Sequence, residues 1–334
     1  MKITVKGLLS VFKNSFNGFL DDKLTKLSGS LAYTIIFSMG PLLLIIISLC
    51  ALFLDREAVE GGIYRQMSGF VGPASAAQLQ EIIKHASLNG KSTLAAVIGG
   101  VVLLIGATAV FAEIQDSVNT IWGLKPKPKR GWVQMLKNRF LSFSLIISLG
   151  FLLLVSLGIA AIIDGFSDRL QRIFPEVAVV FFYILNLVIT FLVTSLIFAV
   201  IFKVLPDAKI KWRDVRAGAI TTALLFLIGK FGISFYISKT DIGSTYGTAG
   251  SIVVLLIWVY YSSMILYFGA EFTKFYAIKY GSAIHPNDYA VTTKIVEVET
   301  EKNTVQGNEK TEVKTTGVGN DQIKLNQKKL DTEK

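Results

Sequence analysis

The chain has 334 residues, of which 52% are hydrophobic and only 17% are charged, and its mean hydropathy is +0.54. These values lie outside the usual range of soluble domains and predict several membrane spans. The formal net charge of +10 does not indicate nucleic-acid binding, because the basic residues cluster between apolar runs, a pattern typical of membrane orientation. One cysteine, Cys50, excludes an intrachain disulfide and a thiolate metal cluster, and His85 and His285 lie far apart in the sequence. We therefore predict no metal and no cofactor.

Residues 1–28 predict an amphipathic helix at the cytoplasmic surface of the membrane. Its apolar residues fall on one side of a helical wheel and its lysines fall elsewhere. The sequence leaves two arrangements open, a helix lying on an anionic leaflet and a helix packed on the bundle. The apolar side comprises Val5, Leu8, Leu9, Phe12, Phe16, Phe19 and Leu20.

Six apolar runs follow, each long enough to cross a hydrocarbon core of roughly 30 Å as a helix. We place these spans at residues 31–54, 94–112, 140–163, 177–201, 217–237 and 249–270. Residues 55–91 predict an extracytoplasmic helical loop, in which Gly72 and Pro73 open a helix. The predicted fold class is all-α, a polytopic membrane helical bundle with six transmembrane helices within residues 29–284.

Pro41 and a row of small residues mark the predicted bends and contacts of the spans. Pro41 removes a backbone donor within the first span, so a kink is expected just before it. Broken helices line the sites of some transporters, but the structural interpretation of this proline is favoured. Gly243, Gly247, Gly250 and Ser251 begin the sixth span and predict close approach of a second helix.

Two polar residues lie within apolar runs, Lys230 in the fifth span and Asn186 in the fourth. An ionisable side chain at such depth is costly, so Lys230 is a candidate for a substrate or ion pathway. A partner that only fixes packing is the alternative interpretation. In the sixth span, Tyr260, Tyr267 and Glu271 share one helical face, which should contact protein or water rather than lipid.

A second polar group follows the second span, where Glu113, Asp116 and Asn119 recur at helical spacing. Together with Tyr33 and Glu271, these residues predict a polar vestibule on the cytoplasmic side. Solvated helix ends often carry the same residue types, which leaves a purely structural interpretation open.

The distribution of Lys and Arg predicts the orientation of the chain. Sixteen of these residues fall before the first span and in the second and fourth connections, whereas seven fall on the other side. The positive-inside rule then places both termini in the cytoplasm. Residues 285–334 are rich in polar residues and predict a disordered cytoplasmic tail.

Several stretches of the chain resemble the YihY/BrkB family of bacterial inner-membrane proteins, and the resemblance spans residues 7–280. The similar stretches include LAYTIIFSMGPLLL from Leu31, AEIQDSVNTIWG from Ala112, LPDAKIKWRDVRAGA from Leu205, GKFGISFYI from Gly229 and YGTAGSIVVLLIWVYYSSMILYFGAE from Tyr246. The resemblance implies a multi-pass protein of the bacterial cytoplasmic membrane. It also implies that the residues matching the family's recurring pattern are candidate functional residues. These are Tyr33, Pro41, Asn119, Trp122, Pro206, Tyr246, Gly247, Gly250 and Glu271.

Three functions follow from these observations. The first is a transporter or flippase-like protein for an amphiphilic, anionic, lipid-linked envelope component, with Lys230 attracting a phosphate and the acids exchanging protons. The second is a non-transporting scaffold or assembly factor. The third is a membrane-associated ribonuclease, a label that members of the resembling family have carried. We predict that the chain is not an enzyme, that its partners are membrane lipids and an envelope lipid or its precursor, and that it binds no specific nucleic acid. The oligomeric state stays open.

Overall fold

The computed structural model describes residues 4–50, 56–71, 73–86, 93–126, 147, 148, 151, 155, 175–239 and 250–293. Its long elements in these ranges are helices. They are α1 (Val5–Asp21), α2 (Leu24–Cys50), α3 (Arg56–Val71), α4 (Pro73–Ala86), α5 (Thr93–Ile121), α6 (Pro175–Val204), α7 (Trp212–Lys239) and α8 (Gly250–Tyr280). The strands are short, namely β1 (Leu124–Pro126), β2 (Ala208–Lys209), β3 (His285–Pro286) and β4 (Ala290–Thr292).

Helices α2, α5, α6, α7 and α8 each cover most of one predicted span and extend past it at one or both ends. Within the described ranges, three helical segments are long and apolar enough to cross a membrane: Val180–Val204 in α6, Trp212–Ile233 in α7 and Ile252–Tyr280 in α8. The third predicted span, residues 140–163, lies outside the described residues apart from four isolated helical positions. The chain is thus a helical membrane protein, and the count of six spans remains a prediction.

The outer surfaces of α6 and α7 are apolar and exposed, as lipid contact requires. On α6, Val180, Phe181 and Leu192 have more than half of their surface exposed, and on α7 the same holds for Leu224 and Ile228. A soluble monomer rarely exposes so large an apolar surface. In a bilayer this exposure costs little, because acyl chains are as apolar as the side chains they contact.

Helix α1 packs on α8, and the two helices run antiparallel. Its N-cap is Thr4, whose hydroxyl accepts a hydrogen bond from the Gly7 backbone N–H at 3.3 Å. Gly7 lies against Tyr280 and Gly18 lies against Glu271, so the start of α1 meets the end of α8. Phe12 fills the space between them and contacts Phe268 and Phe272.

The opposite face of α1 remains exposed although it is apolar. Val5, Leu9, Phe16 and Leu20 are each more than half exposed. Helix α1 therefore packs on the bundle through one face and presents a second, apolar face outward, and contact of that face with a leaflet stays a prediction. Such a face suits insertion into a leaflet surface.

Helices α7 and α8 approach closely through two reciprocal glycine–threonine contacts. Gly218 of α7 lies against Thr273 of α8, and Gly269 of α8 lies against Thr222 of α7. Each threonine donates its hydroxyl hydrogen to the carbonyl of the glycine four residues earlier on its own helix, at 2.7 Å. Because each threonine hydroxyl is satisfied within its own helix, these small residues let the two backbones approach closely. Close approach matters between membrane helices, where apolar burial supplies no driving force.

The connection between the first two predicted spans is helical, as the sequence indicates. α3 and α4 occupy it, and α4 begins at Pro73. Leu79 of α4 is 2% exposed and belongs to a cluster with Leu255 and Trp258 of α8. α4 therefore rests against the bundle. Helix α2 runs through Pro41 without a break, and the predicted kink there remains a prediction.

The segment after α8 crosses the ends of the other helices. β4 pairs antiparallel with β1, which follows α5, and β3 pairs antiparallel with β2, which follows α6. Gly123 has φ +66, and a Cβ there would lie 2.9 Å from the Thr293 carbonyl oxygen, so this turn requires glycine. The prediction of a disordered tail from residue 285 is wrong for residues 285–293, because backbone pairing orders them. Residues 294–334 of the predicted tail lie outside the described residues.

These contacts bring together one end of the bundle, here called the polar end and formed by residues 4–30, 112–126, 203–216 and 270–293. Trp122 donates its indole N–H to the Ala270 carbonyl at 3.1 Å, which joins the end of α5 to α8. The largest core cluster lies here, with Leu24, Val118, Phe202 and Val215 among its buried members. The sequence analysis assigned several segments to the cytoplasm from their basic residues alone. The described parts of these segments all belong to the polar end.

Gly218→Ala should lower the unfolding temperature of the purified protein in detergent. A Cβ at position 218 would lie 2.8 Å from the Cβ and 3.3 Å from the Cα of Thr273, so α7 and α8 would have to separate. Overpacking of this kind costs about 1–3 kcal/mol. Gly232→Ala is the matched control, because a Cβ there meets nothing within 4 Å. Equal unfolding temperatures for Gly218→Ala and the wild type would contradict the close contact.

Candidate functional site

The most extensive buried polar group at the polar end is a clamp of three side chains, Gln115, Asn119 and Asp207. The Asp207 carboxylate accepts hydrogen bonds from Gln115 Nε2 at 3.0 Å and from Asn119 Nδ2 at 2.9 Å. The Asp207 backbone N–H donates to Asn119 Oδ1 at 2.8 Å. All three residues are at most 4% exposed. We call this group the Asp207 clamp.

The Asp207 clamp ties three distant parts of the chain together. Gln115 and Asn119 share one face of α5, and Asp207 lies between α6 and β2. The Asp207 carbonyl in turn accepts from the Asn287 N–H at 2.9 Å, which adds the segment after α8. A buried carboxylate is costly unless hydrogen bonds satisfy it, so these amides stabilise both the charge and the loop that carries it.

Next to the clamp, a carboxylate face of α5 is open to the surroundings. The Ser30 hydroxyl of α2 donates to Glu113 Oε1 at 2.6 Å, and Asp116 is exposed. Nearby protein atoms partly desolvate Asp116, and this desolvation, together with the charges of Glu113 and Asp207, raises the pKa of Asp116. One turn beyond Ser30, Tyr33 is 65% exposed and packs on Phe37, with ring centroids 4.6 Å apart. Asp116 and Tyr33 are thus exposed in the described part of the chain, and a vestibule around them stays a prediction.

Tyr267 lies behind this face and is fully buried. It packs near Ser117, Glu113 and Asp116 of α5, yet its hydroxyl makes no hydrogen bond of normal geometry within the described residues. An unsatisfied buried hydroxyl costs about 1–3 kcal/mol. This position is thus a polar group that packing alone does not explain.

Glu271 lies apart from the vestibule, in the contact between α1 and α8. It is 0% exposed and pairs with Lys274 at 3.3 Å, and Lys274 also pairs with Asp22 at 3.5 Å. A Cβ on Gly18 would lie 3.0 Å from Glu271 Oε2, so the carboxylate is enclosed by α1. The structure places Glu271 in helix packing and does not bring it to Glu113 and Asp116.

The remaining pathway candidates lie on three different helices. Lys230 is half-buried on α7, within the span Trp212–Ile233. Asn186 is exposed on α6 and accepts a hydrogen bond from the Thr190 hydroxyl at 3.3 Å. Tyr260 is half-buried and belongs to the cluster that contains Trp258.

The small residues predicted to pack lie at or before the start of α8. Gly250 is the first residue of α8 and is buried, and Ser251 follows it in the helix. Gly243 and Gly247 lie outside the described residues. The close contacts of the described part of α8 instead use Gly269, which the sequence analysis did not select.

Asp207 and Gln115 are members of the Asp207 clamp that the sequence analysis did not select. Asp207 is an acid within the basic connection LPDAKIKWRDVRAG, and its position there was the available signal. Within the ranges that the structure covers, no group of three or more His, Cys, Asp and Glu side chains is placed to hold a metal ion.

Comparison with known proteins gives a consistent relationship over most of the chain. A sequence profile described as "Virulence factor BrkB" matches residues 15–290. A UPF0761 membrane protein of Aeromonas salmonicida is 28% identical over 260 residues, which cover 76% of this chain and 84% of the relative. The corresponding protein of Haemophilus influenzae is 24% identical over 255 residues, covering 76% and 90%. A relative from Stenotrophomonas maltophilia is 28% identical, and the match covers 57% of its length. No solved structure matches this chain significantly.

Asp207→Asn should lower the unfolding temperature, because the new amide would point an N–H group at Gln115 Nε2 or Asn119 Nδ2, which are donors themselves. Loss of a hydrogen bond to a buried charge costs about 1.5–3 kcal/mol. Asp288→Asn is the matched control, since the Asp288 side chain is 91% exposed. If both variants unfold at the wild-type temperature in the same detergent, the clamp does not stabilise this end of the protein.

Proposed function

This chain belongs to the BrkB family of membrane proteins, and we propose that it is a transporter or flippase-like protein for an amphiphilic, anionic component of the cell envelope. The proposal includes a location in the bacterial cytoplasmic membrane, six spans and both termini in the cytoplasm. The accessible carboxylates of α5 carry the proposal, because Glu113 and Asp116 lie where a spanning helix reaches the polar end.

The chemistry of these groups suits movement of a charged amphiphile. Asp116 is exposed and its raised pKa favours reversible protonation, so it can exchange a proton as a substrate passes. Tyr33 and Phe37 offer an aromatic surface for an acyl chain or ring, and Tyr33 lies one helical turn from Ser30, which donates to Glu113. Lys230 adds a cation within the α7 span, where a charge costs about 2.5–3.5 kcal/mol, and this cost supports a role in substrate contact.

Two of the original candidates do not support the pathway. Glu271 is enclosed between α1 and α8, and Asn119 is committed to the Asp207 clamp. We assign both residues to structure, and the proposed pathway comprises Tyr33, Glu113, Asp116 and Lys230.

A scaffold or assembly factor is the second candidate function. Its support is that the buried polar residues knit the polar end: Lys274 joins α8 to Asp22, and the Asp207 clamp joins α5 to two loops. Such cross-links would serve a rigid platform as well as they serve a transporter. The ribonuclease hypothesis gains no specific observation from the described residues, and the absence of enzymatic activity stays a prediction.

A lipid-translocation assay distinguishes the two candidates. The full chain is reconstituted into phosphatidylcholine vesicles with a trace of phosphatidylglycerol that carries a nitrobenzoxadiazole label on its acyl chain. Dithionite then bleaches only probe in the outer leaflet, so transport appears as loss of the protected fraction. We expect the wild-type protein to translocate the probe, and Glu113→Gln and Asp116→Asn to slow the rate about tenfold, or ~1.4 kcal/mol.

Glu57→Gln is the control, because Glu57 is an exposed acid on α3, outside the vestibule. This variant should translocate at the wild-type rate. If vesicles that contain the wild-type protein protect as much probe as protein-free vesicles, lipid transport is rejected and the scaffold is favoured. Wild-type rates in both vestibule variants would remove the carboxylates from the mechanism.

A further inference from the structure

A cavity of about 580 Å³ opens at the polar end, between the end of α6, strand β2 and the segment after α8. We call it the basic pocket. Its lining includes three lysines and one histidine, together with side chains that offer hydroxyl or amide groups. The polar lining residues include Lys203, Lys209, Lys211, Ser282, His285 and Asn287. The volume lies within the range of small-molecule sites, roughly 300–1,000 Å³.

The lining of the basic pocket contains three lysines and no acid, and two of these lysines contact neighbouring groups. Lys203 donates from Nζ to the Ile210 carbonyl, which leaves two N–H groups for a ligand. Lys209 pairs with Asp288 at 2.8 Å, with side chains 59% and 91% exposed, so solvent screens this pair and an anion can compete for the lysine. Lys211 is exposed.

Buried hydrogen bonds fix the walls of the basic pocket. The register of β2 and β3 places Lys209 opposite His285. The Asn287 N–H donates to the Asp207 carbonyl at 2.9 Å, so the Asp207 clamp positions the wall that carries Asn287. A wall held by a buried network keeps its shape before a ligand arrives, which lowers the entropic cost of binding.

The basic pocket lies between the ends of two candidate membrane spans. The α6 span ends at Val204 and the α7 span begins at Trp212, and the pocket lies between these two points in the chain. Trp212 is 50% exposed, and Lys203 Nζ lies 5.8 Å from the centre of its ring. Exposed tryptophans and lysines at the ends of spans mark the interface between hydrocarbon and water.

We infer that the basic pocket binds the phosphate of an anionic phospholipid headgroup from the surrounding leaflet. The lysines neutralise the phosphate, and the hydroxyl and amide groups of Ser282 and Asn287 are placed to bond its oxygens or the rest of the headgroup. The acyl chains would extend along the apolar outer surface near Val204, which is 36% exposed. This inference does not rest on the proposed transport, because a bound lipid could equally stabilise a protein that moves nothing.

The test measures unfolding temperature in a neutral detergent as short-chain lipid is added to the full chain. Dihexanoyl-phosphatidylglycerol should raise the unfolding temperature by mass action, and dihexanoyl-phosphatidylcholine at equal concentration should not, since it has no net charge. Lys211→Gln should weaken the response about fivefold, the effect of one lysine near a charged lipid surface. Lys203→Gln should weaken it similarly, and high salt should weaken it further.

Two matched variants complete the design. Lys239→Gln removes an exposed lysine at the opposite end of α7 and should leave the lipid response unchanged. Asp288→Asn removes the acid that competes for Lys209 and should strengthen the response. Lys211 is exposed, so its variant should keep the wild-type unfolding temperature without lipid even if the Lys203 variant does not.

Two results would overturn the inference. An equal response to phosphatidylcholine and phosphatidylglycerol, or an unchanged response in Lys211→Gln, would show that the pocket does not recognise the anionic headgroup. Inorganic phosphate or glycerol 3-phosphate that reproduces the full response at the same concentration would identify a soluble phosphate as the ligand and reject a lipid source.

Discussion

The buried carboxylate of Asp207 is the constraint on which the polar end depends. Its two oxygens are held by Gln115 and Asn119 of α5, and its backbone carbonyl holds the segment after α8 at Asn287. A charge at 2% exposure is tolerated only when its hydrogen bonds are complete, so each partner must be in place for the others to be stable. The clamp thereby fixes the loop that carries Lys209 and the wall of the basic pocket.

The rest of the bundle is held by contacts suited to lipid. Between spanning helices, apolar burial adds little, and close approach and polar bonds decide the packing. The reciprocal contacts of Gly218 with Thr273 and of Gly269 with Thr222 supply close approach between α7 and α8. At the polar end, ionic contacts of Lys274 fasten α1 to the bundle. Asp116 of α5 stays exposed whereas Glu271 is enclosed, which is why the proposed pathway moves away from Glu271.

Long apolar runs in the sequence were sufficient to locate these helices, because a span needs about twenty mostly apolar residues. Five such runs coincide with α2, α5, α6, α7 and α8. The polar contacts were not predictable in the same way. Glu271 and Asp116 look alike in sequence, yet one faces Gly18 of α1 and the other is exposed. Asp207 meets partners 88 and 92 residues away, a pairing that local patterns do not encode. Residues 285–293 have a tail-like composition, and only backbone pairing with distant strands orders them.

Hydrogen exchange shows whether the segment after α8 is a fixed part of the polar end. The N–H groups of Asn287, Ala290 and Thr293 donate to Asp207, Asn287 and Gly123 at 2.9, 2.8 and 2.7 Å. We expect these three amides to exchange as slowly as amides at the ends of α5 and α6, because their hydrogen bonds break only when the Asp207 clamp opens. Exchange at the rate of an unfolded chain would contradict it.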